Sequence, residues 1–241
     1  MPPSRSPFDP PPRAILFDKD GTLFGFQETW SPWAAALLDR LSGQAPQRRA
    51  AIARAIGFDL SARRFHPTSP AIAGTGREVA ALIAPHMPPG EQDTGRLEAH
   101  IAEAAQAVHP IPAVPLRPLL TRLAGAGYRL GVATNDHRAV AHAHLREVAD
   151  LFDFVAGFDS GFGAKPAPGM LLAFAAHCGL APDQVLMVGD STHDLIAGRA
   201  AGMATLAVLT GVATQQELSP LADAVRPDIG HIPALVGLSA D

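Results

Sequence analysis

The sequence predicts an α/β protein: a doubly wound parallel sheet with an inserted small helical domain. Three observations predict it. Short apolar runs alternate with helix-length segments across residues 128–209, the pattern of a parallel sheet covered on both faces. One more apolar run, Ala14–Phe17, stands apart from these, separated by a long stretch with helical periodicity and no strand pattern. Finally, the apolar runs end in Asp, Thr-Asn or Gly-Asp, and the carboxyl ends of strands are where open parallel sheets bind ligands.

The elements follow in chain order. Residues 1–12 form a proline-rich, mostly polar leader without the apolar core of a signal peptide or anchor, and are expected to be poorly ordered. Ala14-Ile15-Leu16-Phe17 is a buried strand, ended by Asp18-Lys19-Asp20-Gly21-Thr22. If extended geometry persists, Asp18 and Asp20 face one site and Lys19 points the other way. Residues 24–114 then read as the helical insert. Trp30, Trp33, Ala34, Leu37, Leu38 and Leu41 form one apolar stripe, with Ser31-Pro32 as its N-cap and first-turn proline. Further helices are expected over 46–57, 76–84 and 93–108, and Pro110, Pro112 and Pro115 mark the return to the sheet. From there, helices over 118–125, 138–148, 168–178 and 192–201 alternate with strands over 128–133, 152–156, 185–188 and 205–209, and 224–229 holds a last edge strand. The domain boundaries are therefore 1–12 leader, 13–23 with 115–241 core, and 24–114 insert.

Composition narrows the function. Hydrophobic residues make up 47% and charged residues 17% of 241, enough to bury a sizeable core. A net charge of -4 argues against a nucleic-acid surface, and no run approaches a membrane span. The single Cys178 excludes an internal disulfide and fits a reducing, cytoplasmic setting.

The polar residues at strand ends come from four places: Asp18 and Asp20, Thr134 and Asn135, Lys165-Pro166, and Gly189-Asp190 with Asp194 one helical turn on. A parallel sheet gathers all of them on one edge. Paired carboxylates there can hold a hard cation such as Mg²⁺, attack phosphorus, or shuttle a proton.

On these motifs, in this order, the sequence closely resembles the haloacid dehalogenase (HAD) superfamily of phosphatases. The resemblance runs from Arg13 onward, and the insert looks like the α-helical cap of the phosphoglycolate-phosphatase-like branch, set on a Rossmann-like core. It implies Mg²⁺-dependent hydrolysis of a small-molecule phosphate monoester. Asp18 is then the nucleophile that forms an aspartyl-phosphate, and Asp20 the general acid and base. Thr134 and the Asn135 amide bind phosphoryl oxygens, and Lys165 offsets charge on the phosphoryl group and Asp18. Mg²⁺ is implied at Asp18, the Asp20 carbonyl and Asp190, with Asp194 orienting that shell. An Asp at position 20 fits hydrolysis, since relatives that dehalogenate lack it and relatives that pump ions carry Thr. The alternatives are a sugar-phosphate phosphomutase, which also keeps this Asp, and a non-catalytic HAD-fold metabolite-binding module.

Arg77, or Arg63 and Arg64, in the insert could bind a substrate carboxylate. The expected partner is a small phosphorylated molecule, for a monomer or homodimer, without nucleic acid or membrane. Several other residues read as structural. His142 and His144 point about 200° apart on a helix and cannot share a metal. Cys178, Trp30 and Trp33 read as core, and His193 as a helix-start residue beside the site.

Overall fold

The structure, a computed structural model, describes residues 7–8 and 11–238. In order, its elements are β1 (Ala14–Phe17), α1 (Phe26–Ser42), α2 (Pro46–Ala55), β2 (Phe58–Asp59), β3 (Arg64–Phe65), α3 (Gly76–Ile83), α4 (Thr94–Gln106), α5 (Leu116–Gly125) and β4 (Arg129–Ala133). Then come α6 (Arg138–His144), β5 (Phe154–Ala156), α7 (Gly169–Cys178), β6 (Val185–Gly189), α8 (Thr192–Ala201), β7 (Ala204–Val208), α9 (Gln215–Leu218), β8 (Ala224–Arg226) and α10 (Ile232–Leu235).

Six strands form one parallel sheet in the order β5-β4-β1-β6-β7-β8. β1 is central because every one of its side chains is apolar and buried, so it needs cover on both faces. Its residues alternate between two cores. Ile15 and Phe17 join Leu130, Val132, Leu186 and Val188 beneath α5. Ala14 and Leu16 join Met187 and Phe174 beneath α7 and α8. Strand order reverses beside β1, with β4 on one side and β6 on the other, which is the switch point where such sheets open a ligand crevice. The register sets Phe17 beside Val132 and Val188, so Asp18 leaves the sheet between the ends of both neighbours.

A separate apolar core joins α1, α2, α3 and α4 into a helical cap. Two chain passages link it to the sheet and run side by side: Gly25 N–H donates to Ile111 O at 2.9 Å, and Ala113 N–H to Leu23 O at 2.9 Å.

Two expectations for this segment are corrected. Helix α1 begins at Phe26, with Gly25 at its N-cap, so Ser31-Pro32 lies inside it. The burial of Phe26 and Thr29 extends the helix backwards, and Pro32 is tolerated on the exposed outer face, where water can meet the carbonyl it leaves unbonded. The cap also contains strands. β2 and β3 pair antiparallel through Phe58 and Phe65, whose rings meet edge-on at 5.2 Å. Two-residue strands are too short for alternation to show in sequence.

The expectation of a poorly ordered leader falls largely on residues 1–6, 9 and 10, outside the described residues; Phe8 is buried against the sheet core.

Candidate active site

Lys165, on the loop after β5, reaches under the end of β1. Its Nζ donates to Asp18 Oδ1 at 2.6 Å, Asp194 Oδ1 at 2.7 Å and Ala133 O at 2.8 Å. An ammonium has three protons, and all three are placed. Asp194 is fixed by its other oxygen, Oδ2, which accepts from the Ser191 N–H and hydroxyl at the N-cap of α8. The capping box that starts α8 therefore also aims a carboxylate at Lys165.

Asp190, at the end of β6, accepts from the Thr22 hydroxyl at 3.2 Å. Gly211 is glycine for a steric reason: a Cβ there would lie 1.7 Å from Asp190 Oδ2. At Gly189 a Cβ would meet the Asp194 side chain at 2.2 Å. These close approaches bring Asp18, Asp190 and Asp194 together, with one oxygen from each within 4.8 Å of the others.

Three buried carboxylates in so small a space repel one another. Burial pushes Asp18 up to about 7; Lys165 works against that rise, while Asp194 and Asp20 add to it. Burial, and then the charges of Asp18 and Asp194, push Asp190 well above the usual carboxylate range. Burial disfavours the Lys165 ammonium, but Asp18 and Asp194 outweigh it and hold the group charged. One ammonium among three carboxylates leaves excess negative charge on hard oxygen donors, which suits a divalent cation such as Mg²⁺. The residues present fit that group.

Asp20 shares the cavity with Asp18 but has different partners. Lys19 does not simply point away from the site: it is fully buried, with Nζ 2.6 Å from Asp20 Oδ2 and 3.3 Å from Asp136 Oδ2. Trp30 Nε1 donates to Asp20 Oδ1 at 2.8 Å. Burial alone would raise Asp20, yet Lys19, then His144 and these hydrogen bonds, hold it below its ordinary value. The Asp20 side chain stands outside the three-carboxylate cluster, so its main-chain carbonyl is what it has left to offer a cation.

His144 completes this second network. Its Nδ1 lies 3.1 Å from Lys19 Nζ and its Nε2 2.9 Å from Ala105 O. A carbonyl only accepts, so Nε2 carries the proton and Nδ1 receives one from Lys19. Burial and the Lys19 charge push this imidazole down to about 4. The sequence reading missed the role of both residues. The available signal was a lysine amid carboxylates at the end of a wholly buried strand, since lysine is buried only when paired.

The remaining expected residues divide. Thr134 is buried and lines the cavity; its oxygen accepts the Asp136 N–H at 3.1 Å, which leaves its proton for a ligand. The Asn135 side chain is a clamp: Nδ2 donates to Lys165 O and Ala73 O, both at 2.9 Å, and Oδ1 accepts from Lys165 N at 2.8 Å. It thereby ties the lysine loop to the cap. Arg77 is corrected. It is 75% exposed, pairs with Glu98 at 3.5 Å, and does not line the cavity, although Gly76 does. As the second residue of α3, it is turned outward by the helix. Arg63 and Arg64 are exposed as well. Trp30 and Trp33 pack in the cap core as expected, and the same side chains also line the cavity. His193 lines it too, on the first turn of α8, while His142 is exposed.

The cavity over Asp18 has an accessible volume of about 100 Å³. The sheet supplies its polar floor, and the cap supplies a roof of aromatic and aliphatic side chains. Among the described residues no helix is long and apolar enough to cross a membrane.

With this geometry in place, comparison with known proteins is informative. A family model described as haloacid dehalogenase-like hydrolase matches residues 12–202. A phosphoglycolate phosphatase from Rhodospirillum rubrum is 32% identical over 235 residues, 92% of this chain and 89% of the relative. Among solved structures, CbbY from Rhodobacter sphaeroides in complex with phosphate superposes with a TM-score of 0.66 at 19% identity, over 94% of this chain and 96% of that one. A defluorinating L-2-haloacid dehalogenase gives 0.64 at 24%, over 97% and 99%. At such identities the structural likenesses speak for the fold alone.

Proposed function

This chain belongs to the haloacid dehalogenase-like hydrolase family, and on that premise we propose that it hydrolyses phosphate monoesters of small molecules through an aspartyl-phosphate on Asp18, with Mg²⁺ as its cation. The observation that carries the reading is the Lys165 ammonium shared between Asp18 and Asp194 on the floor of a capped cavity. Phosphatase is favoured over dehalogenase by Asp20, a second carboxylate lining the same cavity as the nucleophile.

The chemistry follows from charge. An anionic nucleophile meets an anionic phosphate, and attack is slow unless that repulsion is offset. Lys165 holds the Asp18 carboxylate in place and presents positive charge where phosphoryl oxygens would sit. Thr134 has a hydroxyl proton for one of those oxygens. Asp20 takes a proton from the water that attacks the aspartyl-phosphate, a base role that suits a carboxylate Lys19 holds below its ordinary value, and the proton so gained serves the leaving oxygen of the next turnover. Trp30 and Lys19 orient it for both steps. Asp18, Asp190, Asp194 and the Asp20 carbonyl would hold the cation, which would neutralise charge on the transferring group. The helical cap, residues 24–114, closes the site, and a single half-buried Cys178 fits a reducing cytoplasm.

The test is phosphate release from a panel of small phosphate esters, with Mg²⁺ and with EDTA. Release requires Mg²⁺ and is lost in Asp18→Asn. Asp20→Asn slows turnover by roughly 10²–10⁴-fold and accumulates phosphoenzyme. An Asp18→Asn protein that turns over at the wild-type rate refutes the assignment.

A further inference from the structure

The roof of the cavity, opposite the Asp18–Lys165 pair, carries no cation. Phe26, Trp30, Trp33, Leu37, Ile72 and Ile101 line it, and no arginine among the described residues does. Lys165 is the only lysine on the lining, and its three protons are committed to Asp18, Asp194 and Ala133. Lys19 is sealed behind Asp20. His137 lies between two carboxylates, 3.3 Å from Glu98 and 3.4 Å from Asp159. His193 sits on the sheet side, on the turn between Asp190 and Asp194. Arg77, the cap residue best suited to a carboxylate, is outside and paired with Glu98.

A substrate carrying a carboxylate beyond its phosphate would have to bury that charge against the aromatic roof, with Asp20 and Asp136 also on the lining. An apolar group placed there would instead leave water and meet Trp30 and Trp33, whose rings pack edge-to-face at 5.0 Å. Trp33 also keeps a buried indole N–H with no partner among the described residues, a donor for one acceptor atom on such a group.

We propose that the leaving group of the physiological substrate is an uncharged, apolar alcohol, aromatic or branched aliphatic, held under Trp30 and Trp33. The chain would then prefer such esters to carboxylated ones such as phosphoglycolate. This rests on the phosphatase reading above. The reaction balances as it does for any monoester. Asp18 forms a bond to phosphorus as the ester P–O bond breaks and the leaving oxygen takes the Asp20 proton; water then attacks phosphorus, gives a proton back to Asp20, and breaks the Asp18–phosphorus bond to free Asp18 and inorganic phosphate.

The test uses the purified full chain with Mg²⁺ and three alkyl esters: benzyl phosphate, ethyl phosphate and phosphoglycolate. Because all three release an alkyl alcohol, their ratios read binding of the leaving group more than its acidity. The expected kcat/KM for benzyl phosphate exceeds that for phosphoglycolate by about tenfold or more, mainly through KM. Trp33→Ala narrows the benzyl-to-ethyl ratio. Phosphoglycolate turned over as well as benzyl phosphate, or a ratio unmoved in Trp33→Ala, overturns the proposal and leaves the phosphatase standing. Absence of Mg²⁺-dependent release from all three overturns the phosphatase reading and the proposal with it. Should Trp33→Ala fail to fold, the wild-type ratios decide alone.

Discussion

Trp30 and Asp20 meet where the cap joins the sheet: the indole Nε1–H donates to Asp20 Oδ1 at 2.8 Å, and the same ring lies 5.4 Å from the Lys19 ammonium. A cap residue thus helps hold the carboxylate assigned as general acid. Two further bonds cross the same junction, His144 to Ala105 O and Asn135 to Ala73 O. The contacts that hold the cap to the sheet and those that hold Asp20 are thus partly the same. Trp30→Phe keeps an aromatic wall but removes a donor to a charged acceptor. It should cost about 1.5–3 kcal/mol in urea unfolding and lower kcat, with the pH limb assigned to Asp20 moved upward.

Lys165 has a double duty, and its removal separates the two. Lys165→Met leaves Asp18 and Asp194 buried without their counter-charge, a loss of roughly 3–5 kcal/mol where both must ionise. The sign follows from the native shift. Asp18, raised above its ordinary value by burial, destabilises the fold as pH rises through the interval between its unfolded and folded values, because the unfolded chain ionises first. The penalty is therefore greater at pH 8 than at pH 5. Chemical denaturation at both values checks it, and an equal penalty at the two would show that the buried charges are not its source.

Cation binding is visible without turnover. A ligand at a hundredfold excess over its Kd adds about 2.7 kcal/mol, or on the order of 5–10 °C in Tm for a chain of this size. Mg²⁺ should raise the melting temperature by that order, EDTA should reverse it, and Asp190→Asn should abolish it.

His144 gives the fold a dependence on pH. Its imidazole is lowered to about 4 in the native state against an ordinary 6.5, by burial and by Lys19. A depressed group contributes stability that is whole above the unfolded value and is lost as pH falls to the folded one. Stability should drop between pH 6.5 and 4 by up to about 3 kcal/mol. His144→Gln, which can still donate to Ala105 O, should flatten that part of the profile.

The sheet, its strand ends and the cap's helices were legible because burial dictates them: an apolar run such as Val185–Val188 has few other places to go. Asp18, Thr134, Lys165 and Asp190 were legible because strand ends converge. What sequence hid depends on contacts between distant elements. Lys19 and His144 are 125 residues apart, and nothing in either neighbourhood announces the other. Trp30 and Trp33 fit a core stripe by periodicity, and the same helix face that packs the cap also roofs the cavity. Arg77 depended on helix phase, since one residue separates the cavity-lining Gly76 from an outward-facing side chain.

Lys19 and Lys165 are the only lysines in the chain, and both are sealed inside it. Lys19 is fully buried, and the Lys165 ammonium has all three protons bonded, so both ε-amines should react slowly with acylating reagents while the fold is shut. Lysine acylation, followed by peptide mass spectrometry, would consequently act as a clock for opening. Modification at Lys165 ahead of Lys19 would time the parting of cap from sheet, and equal rates would time the loss of the whole fold. A bound phosphate should slow the first process more than the second.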